Sequence, residues 1–398
     1  MRKIHIAALL LACTLFLGGC HLLDYIAPLT EDIYDAQKYQ TEYADHWQYR
    51  QLTEEEQRCY GHLYTAIQDT KHTESYITFN NAQHPGVRVY LPDATLNEAS
   101  VTRIYQAFFN DNPHFFYLDR TYSMEGVQDI SGATYYNVLI LQYTLPTQQR
   151  TQAEQKLQAI VDAILAECPS SDDYAIEQYL HDEVAARCTY DTEAAENDSD
   201  AVPNAYTAYG ALVEGKAVCE GYAKALHLLL NKKSIPSTLV TGVSKENDES
   251  HMWNLVTVNG ENYHVDPTWD DSGDRVQHTY FNLTTEMVLD SCTIDNAESL
   301  PLCTATKDNP FVRNDTLIDT YERQVIAQKI AARVQAGDTT IQLRFTEGKL
   351  DNGILFLKNQ TLLSSMVNGH LADSGLEMWD YELWSERSQN VLTLIKKA

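Results

Sequence analysis

Positive charge is scarce in this chain. Its 398 residues carry 29 Lys and Arg against 56 Asp and Glu, a formal net charge of −27. A surface of that sign repels phosphate backbones, which excludes nucleic acid as a partner. It also disfavours attraction to an anionic membrane surface by charge. Metal-type cysteine spacing is missing as well. The eight cysteines include no C-x-x-C pair, and no Cys/His cluster has zinc-ligand spacing. Beyond the first residues there is no apolar run long enough to span a membrane. Internal repeats and low-complexity tracts are absent too, which excludes a solenoid. What remains, with 44% hydrophobic and 21% charged residues, is a chain with enough apolar material for two or three globular domains.

The first residues have a character of their own. Arg2 and Lys3 precede an almost wholly apolar stretch from Ile4 to Leu17, then Gly18, Gly19 and Cys20. That is the basic start, apolar core and small-residue cleavage site of a secretory signal. Leu17-Gly18-Gly19-Cys20 also resembles the lipobox of bacterial lipoproteins. The resemblance implies cleavage before Cys20 and lipid attachment at Cys20. The protein would then be exported and lipid-anchored to the cell membrane at its extracytoplasmic face, with lipid rather than charge as the tether. A plain secretory signal with an incidental cysteine is the alternative. Loss of residues 1–19 removes Arg2 and Lys3 and no acid, so the processed chain is more acidic still. With Cys13 lost and Cys20 acylated, six cysteines remain. An exported location permits disulfides. Cys292 and Cys303 are close enough in sequence to close a small loop, but the pairing is not fixed by sequence.

The rest divides by style. Residues 20–45 read as a tether, 46–150 as an N-terminal α/β region, 151–305 as a central domain and 306–398 as a small C-terminal α/β domain. In the N-terminal region Thr53 and Glu56 have capping-box spacing at the head of a helix. A second helix is expected from Leu96 to Phe109, a strand from Tyr135 to Tyr143, and helices over 147–167 and 173–187. In the central domain a short helix from Ala205 stops at Gly215. A longer one starts at Cys219, with Tyr222, Leu226, Leu229 and Leu230 on one face. Strands are expected over Thr238–Val243, Trp253–Val258 and Asn262–Asp266, the last two joined by Asn259-Gly260, a strong hairpin signal. Further on, helices are expected over 314–336 and 351–365, with strands over 340–345, 377–383 and 390–396.

The chemistry concentrates in the central domain. Cys219 stands at the predicted N-terminus of a helix, where free backbone N–H groups and partial positive charge favour a thiolate. Those N–H groups can also stabilise an oxyanion. Alone, such a cysteine is more often a small buried hydrophobe, and His251 and Asp266 taken singly are equally unremarkable. The hairpin connects the last two. A two-residue loop at Asn259-Gly260 pairs 258 with 261, 256 with 263 and 253 with 266. His251, two residues from Trp253, then shares a face with Asp266 as its diagonal neighbour, at about 7 Å between backbones. A symmetric four-residue loop keeps that register; a three-residue loop would put the two on opposite faces.

Three ordered segments carry a family resemblance. Tyr206 to Leu212 followed by Gly215-Lys216-Ala217-Val218-Cys219-Glu220-Gly221-Tyr222-Ala223 resembles the nucleophile segment of the transglutaminase-like superfamily. His251-Met252-Trp253-Asn254 resembles its histidine strand, and Tyr263 to Asp270 its aspartate strand. The lead-in Cys188-Thr189-Tyr190-Asp191 is similar too. The resemblance covers about residues 170–290. It implies an α+β, papain-like core, with a nucleophile helix packed on an antiparallel sheet and α/β domains flanking it. It also implies a triad in which Cys219 attacks an amide carbonyl, His251 moves the proton and Asp266 orients the imidazole. Tyr206 or Tyr209 is a candidate oxyanion donor, and Trp253 and Trp269 candidate walls of the cleft or core. Asn254 reads as strand pairing. Asp270, Asp271 and Asp274 read as a solvated acidic loop rather than a calcium site, since their spacing is not that of a calcium loop. No cofactor and no metal are expected. The expected activity is that of a surface-anchored thiol enzyme on peptide or glutamine amides, with hydrolysis ahead of transamidation. A non-catalytic cell-envelope binding module on the same fold is the alternative.

Overall fold

The computed structural model describes residues 46–79, 81–93, 95–169, 172–197 and 203–397. The signal, lipobox and tether lie outside the described residues. The chain divides into two compact units, residues 1–109 with 117–151, and 110–116 with 152–398.

In the first unit α1 (Trp47–Arg50) and α2 (Glu54–Thr70) precede strands β1 (Tyr76–Phe79) and β2 (Ala82–Tyr90). Then come α3 (Glu98–Asp111), β3 (Leu118–Gln128), β4 (Thr134–Tyr143) and the start of α4 (Thr147–Glu167). The capping box is made as its spacing predicts: Thr53 accepts from Glu56 N, and Glu56 accepts from Thr53 N. The strands form one antiparallel sheet in the order β1-β2-β4-β3. Only β4 was legible in the sequence. Strand β2 carries His84-Pro85-Gly86 in its first half, which reads as a turn, and only its second half alternates. Strand β3 is an edge strand whose residues are mostly exposed, so it lacks an apolar period.

The second unit carries the candidate site. Helix α5 (Asp173–Arg187) leads into β5 (Thr189–Tyr190) and α6 (Thr192–Asn197). A 3₁₀ turn (Pro203–Tyr206) and a π turn (Gly210–Glu214) follow, in place of the single short helix expected from Ala205. Gly215 closes the π turn at φ 70°, in the left-handed region. Strand β6 (Lys216–Ala217) pairs in parallel with β5, and α7 (Cys219–Lys232) begins two residues later.

Helix α7 departs from the one-faced pattern expected of it. Gly221 to Leu230 are buried without a break, so the helix is enclosed on all sides. Its polar members are matched: Lys224 Nζ donates to Glu220 Oε1 at 2.6 Å, and His227 Nδ1 meets Ser237 Oγ at 2.7 Å. It packs against α5 and the antiparallel sheet β7 (Ser237–Val243), β8 (Ser250–Val258) and β9 (Glu261–Val265), in the order β7-β8-β9. The asparagine Asn254 of β8, fully buried, donates from Nδ2 to Ala223 O at 2.9 Å. It thereby ties the sheet to the helix, beyond the strand pairing expected of it.

The β8–β9 register follows the Asn-Gly turn. Val258 pairs Glu261, Val256 pairs Tyr263 and Asn254 pairs Val265. Asn259 and Gly260 both have positive φ, 51° and 79°, the signature of a type I′ turn. A Cβ on Gly260 would meet open space, so only backbone strain opposes a side chain there. Gly260→Ala is expected to cost about 1–2 kcal/mol in urea denaturation; an unchanged midpoint would show that the turn does not hold the register.

Beyond β9 come α8 (Pro267–Asp270), α9 (Thr285–Ser291) and α10 (Pro310–Arg313). The C-terminal sheet contains β10 (Leu317–Ile318), β11 (Thr340–Phe345), β12 (Tyr381–Glu386) and β13 (Val391–Lys396), in the order β10-β11-β13-β12. Helices α11 (Arg323–Gln335), α12 (Leu350–Lys358) and α13 (Gln360–Leu371) pack with it over a shared core including Ile330, Leu343, Phe356, Val367 and Leu394. The helix expected over 351–365 is two helices, because the Asn359 side chain accepts from Leu362 N and starts a new one. The helix expected from 314 begins only at Arg323, after β10 has taken Leu317 and Ile318. The six described cysteines are all free thiols; Cys292 and Cys303 sit unbridged in one apolar cluster.

Candidate active site

Cys219 is the first residue of α7, after Val218, whose side chain cannot cap. The helix therefore presents its first-turn N–H groups beside the thiol. Cys219 is half-buried, while Cys59, Cys188, Cys292 and Cys303 are buried. Burial pushes those four thiols up to about 12, 11, 12 and 11 respectively. They suit packing, not nucleophilic chemistry.

His251 projects from β8 toward Asp266, at the end of β9. Its Nε2 donates to Asp266 Oδ2 at 2.5 Å, and both side chains are about nine-tenths buried. The other carboxylate oxygen, Oδ1, accepts from Thr268 N and Trp269 N at 2.9 and 3.2 Å, so Asp266 also caps α8. With Nε2 engaged, Nδ1 is the nitrogen left for Cys219, whose thiol lies near enough to help hold the imidazole pKa up. Burial by itself would lower the imidazole. The Asp266 charge, its hydrogen bond and the Cys219 thiol outweigh that and hold His251 up at about 10.

Aromatic rings fix the imidazole. Trp269 stacks on it with centroids 4.3 Å apart and planes at 11°, and Trp253 lies nearly parallel at 5.8 Å. Trp253 is itself locked: its Nε1 donates to His264 Nδ1 at 3.0 Å. Because indole only donates, His264 must carry its proton on Nε2, which faces Thr285 Oγ1 at 3.2 Å. Burial holds His264 neutral, with its pKa lowered to about 4. Across the sheet, the residue paired with His251 is Gly242. A Cβ there would fall 1.9 Å from Thr293 O and 2.9 Å from the Trp253 ring, so only glycine admits this close approach.

Tyr206 and Tyr209 lie on the segment before Cys219. The Tyr206 hydroxyl donates to Ala194 O at 3.0 Å, and the Tyr209 ring stacks on Phe116 at 4.6 Å. A different tyrosine, Tyr190, lies near Cys219. Tyr190 pairs Ala217, two residues before Cys219, and is 39% exposed. Burial, then the charge of Cys219 and Glu249, push its phenol up to about 12. It is thus a protonated donor at neutral pH. Its position in the Cys188–Asp191 lead-in was visible in the sequence; its proximity to Cys219 depends on the parallel β5–β6 pairing and was not.

Asp270 corrects an expectation. It is not in solvent but fully buried, accepting from Tyr280 N at 3.0 Å and lying 3.3 Å from His181 Nε2. Asp271 accepts from the Tyr222 hydroxyl at 2.7 Å, and only Asp274 fits the solvated loop.

Residues 150–267 match the family model described as the transglutaminase-like superfamily. The matched stretch is a transglutaminase-like domain. It ends just after Asp266, so the matched span contains all three residues of the Cys219–His251–Asp266 arrangement. No curated protein matches the chain. Similar solved structures include the following two. One is a TGase, 16% identical, covering 53% of this chain and 59% of its own, with a TM-score of 0.28. The other is a provisionally named cysteine protease from Cytophaga hutchinsonii, 12% identical, covering 38% and 63%, with a TM-score of 0.23. The chain spans less than two thirds of either. The core of the second unit is α+β: helix α7, which begins at Cys219, packs on an antiparallel sheet.

Proposed function

We propose that the protein is a cysteine-dependent amide hydrolase or acyl transferase, acting on peptide or glutamine amides from the extracytoplasmic face of the membrane. The observation that carries this reading is His251, bonded through Nε2 to Asp266 at 2.5 Å and influenced by the Cys219 thiol at the head of α7. Cys219 thiolate attacks the amide carbonyl, and the developing oxyanion meets the first-turn N–H groups of α7 and the Tyr190 hydroxyl. Imidazolium His251 gives its proton to the leaving amine as the C–N bond breaks. The thioester left on Cys219 is then cleaved by water, with His251 taking the water proton, and the carboxylic acid departs. A primary amine in place of water would give transamidation. Hydrolysis ranks first because water is abundant and no amine-acceptor feature is evident. The lipobox-like Leu17–Cys20 supports anchoring through lipid on Cys20.

The direct test is the pH profile of Cys219 alkylation by iodoacetamide, located by mass spectrometry, in wild type and His251→Ala. Wild type is expected to label rapidly well below the free-thiol pKa of about 8.5, and the variant to label as an ordinary thiol. Slow and identical labelling in both would remove the enzyme reading. The same pair reports on linkage. The His251 pKa is raised, so the stability it contributes is complete below its ordinary 6.5 and disappears as pH rises through about 10. Ammonia release from glutamine peptides, compared with incorporation of an added amine, separates hydrolysis from transamidation.

A further inference from the structure

We propose a zinc site, distinct from the Cys219 arrangement, formed by His181 Nδ1, Asp182 Oδ1 and His278 Nε2. These atoms lie within 4.8 Å of one another. His181 and Asp182 come from α5, and His278 from the loop after α8, where Gln342 of β11 holds it by accepting from its backbone N–H at 3.1 Å. Asp182 Oδ1 is 2.9 Å from His181 Nδ1 and 2.8 Å from His278 Nε2. A tetrahedral zinc with bonds of about 2.0–2.1 Å needs its ligand atoms roughly 3.3 Å apart. The two distances to Asp182 need to open by only a few tenths of an ångström, and the two imidazole nitrogens already lie within 4.8 Å of each other.

Two further observations bear on this focus. The first is the Gln178 side-chain amide, 3.3 Å from His278 Nε2. With its oxygen turned toward that nitrogen it stands beside the set as a fourth donor. The second is the environment of His181, which is fully buried. Its Nε2 lies 3.3 Å from Asp270 Oδ2, also fully buried, and neither atom has a hydrogen-bond partner among the described residues. Metal-bound histidines characteristically give their second N–H to a carboxylate, which fixes the tautomer and orients the ring. Asp270 stands where that carboxylate belongs, leaving Nδ1 to the metal. Two imidazoles with one carboxylate suit zinc better than calcium or magnesium, which prefer oxygen alone. Asp182 and His278 are 38% and 23% exposed at their side chains, so an ion has a route in. The set is invisible as a sequence motif because His278 lies 96 residues from Asp182.

The site would join α5 to the segment that follows the aspartate strand. Asp266 caps α8 and Asp270 ends it, and Asp266 N donates to Tyr280 O at 3.0 Å. The test is titration of the chelator-stripped full chain with Zn²⁺ against a chromophoric competitor, with Co²⁺ titration followed by absorbance. One zinc per chain is expected, and Co²⁺ is expected to give visible bands without the near-ultraviolet band of a thiolate ligand. His278→Ala and Asp182→Asn, both at partly exposed positions, are each expected to weaken binding at least about 100-fold with circular dichroism unchanged. Absence of zinc binding at micromolar metal, a thiolate band on cobalt, or folded variants that bind like wild type would each overturn the proposal. The wild-type cobalt spectrum decides the matter even if a variant misfolds.

Discussion

Asp266→Asn is expected to lower kcat about 100- to 10,000-fold while leaving the fold standing. The two side chains have the same shape, and Oδ1 of the asparagine can still accept from Thr268 N and Trp269 N. What changes is the atom opposite His251. An amide NH₂ replaces Oδ2, so His251 Nε2 must accept instead of donate. The imidazole proton then moves to Nδ1, the nitrogen facing Cys219, and the ring can no longer take the thiol proton. Turnover would be read on the amide that wild type cleaves, with thermal unfolding measured alongside. A loss below about tenfold, or a collapse of the fold that accompanies it, would mean that Asp266 does not set the tautomer.

Trp253→Ala is expected to destabilise the protein by about 3–5 kcal/mol, the largest stability effect anticipated for a single residue near the site. The ring is among the largest fully enclosed side chains and lies between the imidazole of His251 and the cluster of Val240, Leu255, Leu283 and Val288. Its removal leaves a cavity and also strips His264 Nδ1 of its donor. Trp253→Phe separates the two losses, since it restores most of the packing but not the hydrogen bond. Chemical denaturation of the three proteins would show a graded series. A Trp253→Ala midpoint equal to wild type would contradict the packing described for this sheet.

The legible parts of the sequence were those governed by local rules. The Thr53–Glu56 capping box, the Asn259-Gly260 turn and the period-2 strands around it predict helix starts and register without reference to distant residues. Hence the spatial pairing of His251 with Asp266 could be worked out on the hairpin alone. The features that escaped depend on distant partners. Strand β2 exists because β1 and β4 flank Pro85-Gly86, and α7 is enclosed all round because α5 covers the face that solvent would otherwise meet. Asp270 looks like one more acid in a polar loop until His181, far back in the chain, is found beside it. Tyr190 likewise reaches Cys219 only through a two-residue parallel ladder that no periodicity announces.

The enclosure of α7 bears on timing. A nucleophile on a surface loop can be assembled when substrate arrives, at an entropic cost charged against binding. Cys219 begins a helix whose next turns are locked into the core from Gly221 to Leu230 and bolted to the sheet through Asn254 and Ala223. Its orientation is settled during folding, before any encounter. Local fluctuations that open loops at little cost cannot loosen this residue without disrupting the core. Reactivity at Cys219 should therefore persist undiminished through gentle heating and vanish together with cooperative unfolding, rather than fade ahead of it.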